Sequence, residues 1–533
     1  MSGFLRAVPA ARTERAMTGM AELDAEIAAY EQRLERVSRD DPGRPPLLNN
    51  LAARLRARFG LTGDESDLER AVQACQEAIA SIGPPGPQAP VYLNSLGNCL
   101  ADRFARHGSA GDLDAAITAY EDAVDRSAER SPDVPAFEAN LANALVDRYR
   151  RDGTAGDLDH AITIVERIWD GGTGDPAERA GLAANYASML QDRYAATGSL
   201  EDLERAIDVA KTALAGCPAG TSDHLMLLIN LGGALQGRYE RLNHREDLDA
   251  ALEAFRSGLA ETAEGAPSRA LLLNNLGITL AACARIDGGA PGVRDLTEAV
   301  TAHRSALQAT PGADRPQRLN NLAAALSDRY QMAGRGRDLR EALRIWRRSA
   351  AETAPYAPQR ARRVGNVARG YALRYERHGR RRDLVRARKL YRDSCVTAMA
   401  SDPESALATG LEWGRWAIAR TAYPEAADAY DLAVEALDQL FRAQLLRQNK
   451  EAWLRVAGGA ASAGSLAHAR AADCPGAVRA IERGRALLLS EALDRDRAEL
   501  TRLGTLGRGD LAVRYSEVSQ RLKRLLDAGR ELQ

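Results

Sequence analysis

"NSLGNCLADRFARHGSAGDLDAAI", Asn94 to Ile117, is one statement of a pattern that the chain repeats. Forty-five residues earlier stands "NNLAARLRARFGLTGDESDLERAV", and forty-five later "ANLANALVDRYRRDGTAGDLDHAI". Aligned on the residue after the asparagine, the series runs Leu51, Leu96, Leu141, Tyr186, Leu231, Leu276, Leu322 and Val367, in steps of 45 with one of 46. The residue that follows is always Ala or Gly, and four residues beyond the first apolar position comes a second, from Leu55 to Tyr371. That spacing marks one face of a helix, here called helix A.

The end of helix A is legible as well. Five residues after a recurrent arginine stand Gly63, Gly108, Gly153, Gly198, Asn243, Gly288, Gly334 and Gly379. Glycine takes the left-handed conformation of a helix C-cap without a Cβ clash, and Asn is its usual substitute. Asp-Leu follows in every copy, at Asp67, Asp112, Asp157, Asp202, Asp247, Asp295, Asp338 and Asp383, with an alanine four residues on from Ala71 to Ala387. An Asp just before an apolar-periodic run reads as an N-cap, so helix B is expected to start there. Pairing of the Asp with the arginine nine residues before it is then secondary. Repeat six lacks that arginine: Cys283 and Ala284 replace the Arg–aromatic pair, and "IDGGAPGVRD" reads as a loop lengthened by three residues. Poorer packing and a hinge between Leu276 and Asp295 are expected there.

Two helices per unit make an αα-hairpin, and stacked hairpins make a solenoid. The fold class expected is all-α: a right-handed superhelical solenoid of antiparallel helix pairs, mostly in 45-residue repeats. The order of apolar, small, alanine and aromatic positions resembles the tetratricopeptide repeat, with helix A and its loops lengthened. Ordinary spacing returns after Ala400 in "LEWGRWAIARTAYPEAADAYDLAVEAL", and "PGAVRAIERGRALLL" looks like one more helix B. The domains read as 1–46, a leader and capping helix; 47–400, eight long repeats; 401–490, two ordinary repeats; and 491–533, a helical linker.

The tail is "AIERGRALLLSEALDRDRAEL" followed by "LAVRYSEVSQRLKRLLDAGRELQ". Together with the long repeat's Arg-Tyr, Gly and Asp-Leu signature, it resembles the arrays that precede the caspase-like protease domain in bacterial proteins of the CHAT family. The resemblance implies a sensor or scaffold regulating such a protease, in cis or in trans. The sequence stops at Gln533, where that domain would begin, and Leu511, Tyr515, Val518, Leu522 and Leu525 read as an apolar stripe on a last helix.

The resemblance also places the face of helix A that carries Asn50, Asn140, Asn185, Asn230, Asn275, Asn321 and Asn366 in a concave groove, where side-chain amides bind an extended peptide. The competing reading is that these amides bond between helices and fix the stacking of repeats. A second candidate surface comes from charge. The net charge is −1, yet residues 329–392 carry 20 Lys/Arg against 5 Asp/Glu. Arg335, Arg337, Arg360, Arg362, Arg363, Arg377, Arg380, Arg381 and Arg382 from this stretch form a candidate patch for nucleic acid or another anionic partner. Stacking aromatics are sparse there, and a solvated basic face is the plainer account.

Little points to chemistry. There is no phosphate-binding G-x-x-x-x-G-K-[ST], and the histidines and cysteines show no zinc spacing. His468 and Cys474 are near in sequence but fall at a helix–turn junction, so no catalytic dyad, metal or cofactor is expected and the chain reads as a non-enzyme. The six scattered cysteines and the absence of a secretory signal indicate a reduced, cytoplasmic protein. No unbroken run of 18 apolar residues occurs, so no membrane span is expected.

Overall fold

The computed structural model describes residues 11–82, 88–128, 131–172, 176–309, 314–443, 447–486, 511 and 514. Among the described residues every regular element is helical. The chain divides into two compact units, Met1–Gly312 and Ala313–Gln533.

The first unit begins with α1 (Ala11–Arg36) and continues as six hairpins. These are α2 (Arg44–Thr62) with α3 (Glu65–Ala80), α4 (Ala89–His107) with α5 (Ala110–Asp125), and α6 (Val134–Asp152) with α7 (Ala155–Asp170). Next come α8 (Pro176–Thr197) with α9 (Leu200–Leu214), α10 (Ser222–Leu242) with α11 (Arg245–Glu261), and α12 (Pro267–Asp287) with α13 (Gly289–Ala309). The second unit holds α14 (Arg315–Ala333) with α15 (Gly336–Glu352), α16 (Gln359–His378) with α17 (Arg381–Met399), and α18 (Pro403–Ala419) with α19 (Tyr423–Ala443). It ends in α20 (Arg447–Arg470) and a helical stretch over 474–486. Within each unit a helix packs on the next along the chain, and first helices of successive hairpins also touch, as α2 and α4 do or α16 and α18. The fold is an all-α solenoid of antiparallel helix pairs.

The eight helix B alanines from Ala71 to Ala387 are completely buried. They bring the B helix close to the small residue of its A helix. In repeats two and five the B helix adds a large ring one turn later and the small residue is Gly, whereas repeats seven and eight keep Ala323 and Ala368 beside Trp346 and Tyr391. A methyl on Gly97 would come within 2.6 Å of Tyr120, and one on Gly232 within 2.4 Å of Phe255. Volume is traded across the seam because a packed interior has no room to spare.

The expected left-handed helix ends are found except in repeat six, where Gly288 closes α12 at φ 58° and ψ −171°. Gly63, Gly108, Gly153, Gly334 and Gly379 have φ of 64 to 75°, Asn243 has 56°, and each donates its N–H to the aromatic carbonyl four residues back. The expected starts are not. Helix B begins before the Asp-Leu: Ser109 is the N-cap of α5 and Asp112 sits inside its first turn. The Asp carboxylate instead clasps the arginine of its own A helix. Arg148 Nε and Nη2 lie 2.7 Å from the two Asp157 oxygens, and Arg58–Asp67, Arg103–Asp112, Arg193–Asp202, Arg238–Asp247, Arg329–Asp338 and Arg374–Asp383 repeat the pair. A planar guanidinium matches a carboxylate with two parallel bonds, so this latch ties A to B in seven hairpins. The carboxylate also lies near the positive end of the B-helix dipole.

Repeat six departs from expectation too. Its additional residues do not form a longer loop; Gly288 and Gly289, both at positive φ, turn the chain directly into α13, which starts at Gly289. The smaller side chains are closed off from solvent, Cys283 at 1% exposure and Ala284 fully buried. α12 is long and apolar enough to cross a membrane by length and composition, but half of its most apolar stretch is buried, and it packs between α11 and α13.

Candidate functional site

The asparagine rung does different work in different repeats. Asn140 Nδ2 donates to Asn94 Oδ1 at 2.9 Å, and Asn366 Nδ2 to Asn320 Oδ1 at 2.7 Å. Asn230, where the matching residue is Ala184, donates to the Ala184 carbonyl at 2.7 Å. Each bond crosses 46 residues, from one A helix to the A helix before it. Repeat two has Ser95 in place of the donor, and the acceptor it would have met, Asn49 Oδ1, is buried without a partner. Asn140, Asn230 and Asn366 therefore stitch neighbouring repeats. Asn50 and Asn185 stand exposed. Asn275 accepts from Asn274 at 3.4 Å, and Asn321 from Gln317 at 3.0 Å.

The nine basic residues also separate. Arg360 Nη1 donates to the Ala350 and Thr353 carbonyls at 2.8 and 2.6 Å, satisfying the end of α15. Arg44 and Arg269 do the same for the helices before them. All three stand seven residues before their repeat's first apolar residue, a sequence register that marks a C-terminal clamp. Arg363 is 8% exposed and bonds Thr353 Oγ1; burial, then the neighbouring charge of Arg362, pulls its guanidinium below the usual arginine range. Arg377 lies over the Tyr330 ring at 5.7 Å and donates to the Gly334 carbonyl. Arg377 is exposed, and so are the other six: Arg335, Arg337, Arg362, Arg380, Arg381 and Arg382. Arg335 and Arg337 flank the start of α15, and Arg380, Arg381 and Arg382 stand together at the start of α17. There the helix dipole is already positive. Burial works to raise Asp383, but its bonds to Arg374 and the charges of Arg374, Arg382 and Arg380 outweigh it and hold the carboxyl below its ordinary value.

His468 is held at both ring nitrogens, Nδ1 by Asp473 at 2.8 Å and Nε2 by Asp431 at 3.2 Å. Neither nitrogen is left to activate the exposed Cys474. The other five cysteines are buried. Burial pushes the Cys283 thiol up to about 11 and that of Cys395 up to about 12, so both stay unreactive thiols. The apolar stripe expected on the last helix falls outside the described residues, apart from Leu511, which is exposed.

The family model for the tetratricopeptide repeat matches residues 47–79 and 317–350. These stretches are the first hairpin of each unit, so the chain carries tetratricopeptide repeats. No curated protein matches this sequence. Among solved structures, the human IFIT1 dimer with PPP-AAAA is similar over 83% of both chains at 15% identity, with a TM-score of 0.40. A thermophilic tetratricopeptide-repeat protein of Thermus thermophilus is 20% identical over 43% of this chain and 98% of its own, with a TM-score of 0.31. One from Parabacteroides merdae is 18% identical over 58% and 92%, with a TM-score of 0.34.

Proposed function

We propose that the chain is a binding scaffold that takes a protein or peptide partner along its A helices and regulates an associated CHAT-type protease, in cis or in trans. The observation that carries this reading is the stack of tetratricopeptide-type hairpins in register, which offers the same rung at 45-residue intervals. Solenoids of this kind use such extended surfaces for recognition. Asn50 and Asn185, exposed where three other repeats spend their amides on stacking, are the side chains proposed to meet a peptide backbone. The reading gives no catalytic part to His468, whose two ring nitrogens are both held by carboxylates, or to Cys283 and Cys395, whose thiols burial pushes up.

A second reading, a receptor for nucleic acid or another polyanion, draws on the exposed arginines at the starts of α15 and α17. One titration series separates the two. The full chain is titrated with a recombinant CHAT-type protease domain and with a single-stranded oligonucleotide. The scaffold reading expects saturable binding of the domain, weakened by Asn50→Ala with Asn185→Ala, and altered hydrolysis of a peptide substrate. The polyanion reading expects the oligonucleotide to bind, with affinity falling steeply between about 50 and 200 mM salt and lost in Arg380→Glu/Arg381→Glu/Arg382→Glu. Binding of neither ligand overturns both.

A further inference from the structure

Three residues before the first apolar residue of each repeat, the chain places Leu48, Leu93, Ala183, Leu228, Leu273, Leu319 and Val364. The third repeat places Glu138 there. The position remains an interior one, for Glu138 is only 8% exposed. One oxygen, Oε1, accepts from Arg167 Nη2 at 2.6 Å. The other, Oε2, is buried with no donor at all. A carboxylate oxygen withdrawn from water and left unmatched is costly, and native interiors almost always supply a partner.

Glu138 lines a cleft of about 350 Å³ between α5 and α7, over α6. Glu121 and Asp125 come into it from α5, Arg167 from α7, and Leu141 and Ile164 supply apolar surface. Three carboxylates thus face one guanidinium, and that guanidinium is spent on Oε1. The size is that of a small-ligand site, and the charge suits a cation.

We propose that this cleft receives one basic side chain, an arginine guanidinium or a lysine ammonium, of a polypeptide partner. The cation pairs with Glu138 Oε2 and with the charge of Glu121 and Asp125, while its methylene stem lies along Leu141 and Ile164. Only the polypeptide source of the cation rests on the scaffold reading; the cleft is tested without any partner.

The full chain is titrated with a short arginine peptide, spermidine and acetyl-norleucine amide, followed by saturation-transfer NMR. The arginine peptide is expected to bind saturably, the norleucine amide not at all. Glu138→Gln, which keeps the volume and removes the charge, should weaken peptide binding roughly tenfold or more. Glu138→Leu restores the side chain of the other repeats, and should lose binding while melting no lower than the parent. Peptide binding unchanged in Glu138→Gln, no saturable binding by the parent, or equal binding of norleucine amide overturns the site. Preference for spermidine overturns the side-chain source and assigns a free polyamine. A failed cleft leaves the protease-domain titration standing, so the two readings fail separately.

Discussion

His303 occupies the position where Tyr120 and Phe255 stand in other repeats, pressed against Gly277 as they are against Gly97 and Gly232. It is 1% exposed, its Nδ1 has no partner, and burial drives its pKa down to about 4. The imidazole therefore serves as a neutral ring in a core. In the unfolded chain it takes a proton below about 6.5. Between pH 6.5 and 4 the unfolded state binds more protons than the folded one, so stability falls as pH falls through that window and is unaffected above it. The full effect amounts to about 3 kcal/mol. Denaturant midpoints measured from about pH 7.5 to 4.5 should drop more steeply for the parent than for His303→Phe. Parallel profiles would show that another group titrates.

At the scale of the helix pair, the Arg–Asp latch sets the junction of A with B. Arg329 and Asp338 are the most enclosed example, at 6% and 1% exposure. Asp338→Ala leaves a buried guanidinium unpaired, and should cost about 3–5 kcal/mol. Asp295 provides the contrast because repeat six has no arginine to meet it, and burial, followed by the charges of Asp287 and Glu298, raises its carboxyl. Asp295→Ala should cost less than roughly 1 kcal/mol. Chemical denaturation of the two variants decides the matter. Equal losses would show that the ion pair, which repeat six cannot form, is not what the Asp contributes.

Across the first unit, stability in a stacked array is close to a sum over neighbouring interfaces, so one poor joint is a local weak point. On side-chain volume alone, Cys283 and Ala284 make such a joint. Yet both are closed off from solvent, and α13 begins as soon as α12 ends. Amide exchange over residues 276–295 should be as slow as over the equivalent residues 141–157 of repeat three. Markedly faster exchange would establish a hinge.

The periodicity of the chain by itself determined the helix pairs, the repeat length and the C-terminal caps. Each of these follows from local geometry: a 3.6-residue face, or a backbone angle that only Gly or Asn takes readily. The resemblance to the tetratricopeptide repeat was legible for the same reason. The partners of the polar ladders were not legible. Asp112 has the composition of a cap and the surroundings of an ion pair, and only the crossing of α4 over α5 decides between them. Asn140 and Asn50 occupy the same rung, yet one finds Asn94 across the stack and the other faces solvent. Glu138 is an odd residue in an apolar register, but its significance lies in an oxygen without a donor, which no spacing reveals. Spacing along a chain specifies which face a side chain takes; what that face meets is settled only when the helices pack.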